Sequence, residues 1–71
     1  MSTDNRTLRR KLDRELTALE DRYLALRDLK SDGALAGQPM ATILQFDDAV
    51  ESVAAAMQHL RNVIDILGKS E

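Results

Sequence analysis

The chain contains no cysteine, which excludes a disulfide framework and any thiolate metal site. Proline occurs once, at Pro39, and the aromatics are limited to Tyr23 and Phe46. Sheets draw on β-branched and aromatic residues, so a chain rich in Ala, Leu, Arg and Asp reads as helical. Glycine is also scarce, with three in 71 residues, two of them at positions 33 and 37. Such a chain has few places to turn. No stretch approaches the ~20 consecutive apolar residues that a membrane-spanning helix needs. The first residues, Met1 to Arg6, are polar and lack the apolar run of a secretory leader. The expectation is one small, soluble, cytoplasmic domain over residues 1–71.

No excess of positive charge offers a general hold on nucleic acid. The net charge is −2. Residues 1–32 carry eight basic and seven acidic side chains, and residues 33–71 carry two basic and five acidic. Near-neutral and acidic halves create no overall basic field.

What the chain does have is two apolar seams. Ile43, Phe46, Val50, Val53, Met57, Leu60, Ile64 and Leu67 recur at alternating spacings of three and four, an unbroken a/d heptad pattern. Upstream, Leu8, Leu12, Leu16, Leu19, Tyr23 and Leu26 form a narrower seam. The residues between these are charged, and opposite charges at helical neighbour spacing (Lys11 with Glu15) add a few tenths of a kcal/mol each. Ser2, Thr3 and Asp4 are all candidate N-caps for the first helix. Its end is predicted near Lys30 to Asp32, with Gly33 as the left-handed residue beyond. Pro39 suits the first turn of the second helix, where a missing N–H costs nothing. Thr42 with Gln45 resembles a capping box and is a rival start. Gly68 is the predicted end.

The seams match in register. Folding the chain back near residue 36 pairs Leu26 with Phe46, Tyr23 with Val50, Leu19 with Val53, Leu16 with Met57, Leu12 with Leu60 and Leu8 with Ile64. Each pair of numbers adds to 72 or 73, the constancy that an antiparallel pair requires. The predicted fold is therefore all-α: an antiparallel two-helix hairpin, about 4–32 and 39–67. Two helices leave much of each seam wet, so a second layer is expected, either another copy forming a four-helix bundle or a different helical protein.

The second helix is the expected contact. Ala49, Ala56 and Val63 lie seven residues apart beside its seam, and small residues at heptad spacing allow close helix approach. The predicted interface comprises Ala49, Val50, Val53, Ala56, Met57, Leu60, Val63 and Ile64. Leu24, Leu35, Met40 and Leu44 at the loop end form a candidate docking surface, with Leu29, Leu35 and Met40 also able to plug the end of the hairpin.

Candidates for chemistry are weak. His59, the sole histidine, is predicted to face outward with no second ligand on its face. Asp47, Asp48 and Glu51 cluster outside the seam, whereas di-iron bundles place Glu-x-x-His motifs inside it. Their expected role is to complement the positive end of the helix dipole. No catalytic constellation, cofactor site or phosphate loop can be assembled, so an enzyme is not expected. Arg6, Arg10, Lys11 and Arg14, with Arg9, make a basic patch that opposes the dipole of the first helix. It either pairs across the hairpin with Asp65 and Glu71 or meets an anionic partner such as RNA or DNA.

In architecture the chain resembles the small hairpin proteins that dimerise into four-helix bundles, the plasmid RNA-binding Rop type among them. It also resembles the short helical co-chaperones of type III secretion needle subunits. Those resemblances imply partner binding, by self-association or by capture of another helix. They carry over no residue, because they rest on architecture and not on a motif.

Overall fold

The computed structural model describes residues 4–69. It is a helical hairpin: α1 (Asn5–Ser31) and α2 (Met40–Lys69) pack against each other, and no strand occurs among the described residues. Helices of 27 and 30 residues make a rod 54 × 18 × 17 Å.

Each helix end has a local cause. Asp4 caps α1: its carboxylate accepts from the Arg6 N–H at 3.1 Å, and its carbonyl accepts from the Leu8 N–H at 3.0 Å. Ser2 and Thr3 lie outside the described residues. At the other end Gly33 has φ +80°, and its N–H donates to the Lys30 carbonyl at 3.1 Å. The Ala34 N–H donates to the Leu29 carbonyl at 3.0 Å, completing a Schellman motif that satisfies two otherwise orphaned carbonyls. The connection then makes a second turn, with the Gln38 N–H donating to the Leu35 carbonyl at 3.1 Å and Gly37 at φ +80° in its third position. A type II turn needs that sign of φ there, which is why glycine occupies the site.

Two boundaries differ from the sequence reading. Pro39 stands just before α2, its carbonyl accepting from Thr42 and Ile43 at 3.0 and 3.2 Å, so it caps the helix and does not begin it. The Thr42 start is bypassed. Gly68 does not end α2, which runs through Lys69. A Cβ on Gly68 would stand 3.0 Å from Nη1 of Arg9, so this glycine makes room for an arginine crossing from α1.

All 14 seam residues turn inward to some degree, yet among the described residues only Met57 is buried, at 7% exposure. The other 13 are half-buried. The chain exposes 5464 Å². A compact monomer of its mass would expose about 4,400 Å², so roughly 1,000 Å² is surplus. The radius of gyration, 16.2 Å, likewise exceeds the ~11 Å of a compact chain of this length. No helix among the described residues is long and apolar enough to cross a membrane.

Candidate functional site

The packing of α1 on α2 uses one flank of α2 and leaves the other open. Asp47, Ala54, Arg61 and Gly68 follow at seven-residue intervals, and this row meets α1. Lys30 Nζ donates to Asp47 Oδ1 at 2.7 Å, Arg61 Nη2 lies 3.5 Å from Glu20 Oε2, and Arg9 crosses Gly68. Ala54 is half-buried between them. The mirror row, Thr42, Ala49, Ala56 and Val63, has the same spacing, and all four are exposed. Beside it run Gln45, Ser52, His59 and Ile66, also exposed, with Ile66 at 61%.

Charge follows the same division. The six Asp, Glu, Lys and Arg residues of α2 are Asp47, Asp48, Glu51, Arg61, Asp65 and Lys69, and none stands in the two open rows. The open flank of α2 thus carries no Asp, Glu, Lys or Arg and is continuous with half-buried Val50, Val53, Leu60 and Ile64. Its counterpart on α1 carries Lys11, Glu15 and Arg22, all exposed.

The contacts between helices fall further from the loop than the predicted layers. Lys30 reaches Asp47 and Glu20 reaches Arg61, one and two turns beyond their layer-mates. Side chains lean toward the N-terminus of their own helix. In an antiparallel pair that lean carries α1 side chains away from the loop and α2 side chains toward it, and both displacements shift contacts the same way.

Several assignments change accordingly. Asp47 begins well past the first turn of α2, where the dipole has faded, and its partner is Lys30. Glu20 is half-buried, with its carboxylate facing Arg61. Asp65 pairs with Lys69 at 3.1 Å along its own helix and not with the basic patch, while Glu71 lies outside the described residues. Arg6, Arg10, Lys11 and Arg14 are exposed and form no ion pair with another described residue. At the loop end Leu35 is half-buried, but Leu24, Leu29, Met40 and Leu44 stand 53%, 48%, 67% and 55% exposed. Leu29 and Met40 therefore do not plug the hairpin. The residues that the sequence reading missed are the Asp47 row; only their seven-residue spacing could have signalled them.

A shallow cleft of about 310 Å³ opens between the helices near the loop, lined by Tyr23, Arg27, Lys30, Ser31, Phe46, Asp47 and Val50. Lys30 and Asp47 neutralise each other at its rim, and the Arg27 guanidinium sits 5.7 Å from the Tyr23 ring centre. No histidine lines the cleft beside Ser31, and the one carboxylate there, Asp47, is bonded to Lys30. His59 is exposed, and no three His, Cys, Asp or Glu residues gather as a metal site among the described residues.

The fold and its open flank define a class: an antiparallel helical hairpin with one side of α2, small and mixed in polarity and free of Asp, Glu, Lys and Arg, left uncovered. Comparisons with protein-family models, curated proteins and solved structures find no match.

Proposed function

We propose that this chain is a small non-enzymatic protein–protein interaction module, an adaptor, co-chaperone or regulator working through the seam of α2. Its own second copy is the first partner, the two hairpins forming a four-helix bundle. The observation that carries the reading is the state of the seam: 13 of its 14 residues keep surface in water. A surplus of roughly 1,000 Å² per chain matches what each partner of a stable homodimer buries. Residues placed at the interface are Ala49, Val50, Val53, Ala56, Met57, Leu60, Val63 and Ile64, with Leu24, Met40 and Leu44 offering a further docking surface at the loop end. The proposed compartment is the cytoplasm, where a chain without disulfides holds its fold.

Sedimentation equilibrium, with helicity followed on dilution, tests the proposal. A dimer that loses helix as it dissociates is expected. A poorly helical monomer at all concentrations would refute self-association and make the seam a site for a different helical protein.

A second reading, nucleic-acid binding at the start of α1, is favoured by the exposure of Arg6, Arg10, Lys11 and Arg14 without ion-pair partners among the described residues. It requires RNA or DNA affinity that falls steeply with salt and disappears when Arg6, Arg10 and Arg14 are neutralised. Salt-independent or absent binding removes it.

A further inference from the structure

We infer that two copies pair side by side in opposite directions, α2 on α2 and α1 on α1, about a two-fold axis that passes between the two copies of Ala56 and between the midpoints of the two α1 helices. This rests on the self-association reading above and specifies its geometry. Three observations converge on it.

The first is the open flank of α2. Its small residues Ala49, Ala56 and Val63 are symmetric about Ala56, so an antiparallel copy sets Ala56 against Ala56 and Ala49 against Val63. No Asp, Glu, Lys or Arg interrupts that flank, so a like chain can cover it without burying an unpaired charge.

The second is the matching flank of α1, which is charged where that of α2 is not. Leu8, Glu15, Arg22 and Leu29 follow at seven-residue intervals, symmetric about a point between Ala18 and Leu19. An antiparallel copy places each Glu15 opposite the other chain's Arg22, and Leu8 opposite Leu29. A parallel copy would oppose Glu15 to Glu15 and Arg22 to Arg22. Neither residue has an ion-pair partner among the described residues of its own chain. The two centres also coincide within the hairpin. The layers predicted from sequence put Leu16 level with Ala56, the Lys30–Asp47 pair puts Asp21 there, and the midpoint of the α1 row falls between them. One axis serves both helices.

The third is the charge along the rod. Toward the free ends, residues 4–18 carry five basic and three acidic side chains, and residues 56–69 carry two basic and one acidic, a net of +3. Toward the loop, residues 19–32 carry three basic and four acidic, and residues 40–55 carry three acidic, a net of −4. Opposite packing lays the positive end of one hairpin along the negative end of the other, and parallel packing lays like on like.

The absence of cysteine gives a clean background for cross-linking. Ala56→Cys alone is expected to oxidise to a covalent dimer, because two-fold contact brings its Cα atoms within the ~4.4–6.8 Å that a disulfide spans. Ala49→Cys alone should stay monomeric on a denaturing gel, but should cross-link when mixed with Val63→Cys. Glu15→Arg should weaken dimerisation on the order of tenfold by opposing like charges twice per dimer, and Glu15→Arg with Arg22→Glu should restore it. Covalent dimers from Ala49→Cys by itself, or a dimer by sedimentation in which Ala56→Cys stays reduced, would overturn this geometry while leaving self-association standing. A monomer by sedimentation would overturn both.

Discussion

Met57→Ala is the substitution with the most at stake. Met57 is 7% exposed and is the one buried side chain among the described residues. It lies in the middle of the α2 seam, in the layer predicted to hold Leu16. Truncating a buried Met or Leu to Ala removes its transfer free energy and leaves a cavity, together about 2–5 kcal/mol. That is roughly a 30- to 5,000-fold change in the folding equilibrium. The proposed dimer would contain two such sites, so under that proposal the loss should also appear as a concentration-dependent fall in stability. Urea unfolding followed by circular dichroism at two protein concentrations measures it, with Leu24→Ala as control. Leu24 is 53% exposed, and its truncation should change stability by no more than about 0.5 kcal/mol. If Met57→Ala lost under about 1 kcal/mol, or no more than Leu24→Ala, the seam would not be the centre of the core.

Val53→Asp places a carboxylate in the same seam and should abolish assembly by sedimentation, because the charge would be buried unpaired. Gly33→Ala should cost about 1–2 kcal/mol by thermal melting: φ is +80° and nothing lies within 4 Å of the added Cβ, so the whole effect is conformational. Gly68→Ala should be within about 0.5 kcal/mol of neutral by the same melts, since helix propensity favours Ala and the atom it meets, Arg9 Nη1, is the tip of a flexible side chain. A double-mutant cycle on Lys30 and Asp47 should give a coupling of at most ~1 kcal/mol that shrinks with added salt, because both side chains stay well exposed, at 50% and 39%. A larger coupling that survives high salt would mean that the pair is shielded from water by a partner.

Much of the hairpin was legible because helices announce themselves at short range. Asp4, Gly33 and the three-and-four spacing of the seams act through hydrogen bonds and side-chain rows within a few residues, so reading them needs no knowledge of neighbours. Every seam residue is half-buried or, for Met57, buried. Pro39 and Asp65 have local partners, Thr42 with Ile43 and Lys69, but other misreadings turn on tertiary surroundings. Gly68 reads as a stop because glycine often is one, whereas it accommodates Arg9. Asp47 reads as a complement to the helix dipole, whereas it holds Lys30. Leu29 and Met40 are apolar and near the loop, yet composition could not say that they remain uncovered.

By itself the sequence determined two amphipathic helices, their approximate ends, the left-handed glycine between them and the antiparallel pairing of their seams. All of these follow from local backbone preference and periodicity. The tertiary structure decided which side of the α2 stripe α1 would occupy. A heptad pattern is nearly symmetric about its seam, so the rows led by Asp47 and Thr42 are equivalent in position, though not in chemistry, until a second helix lies on one of them. Once α1 takes the row carrying Asp47 and Arg61, the small uncharged row of Ala49, Ala56 and Val63 is the one left open, and the apolar surface a partner can cover is set by that choice.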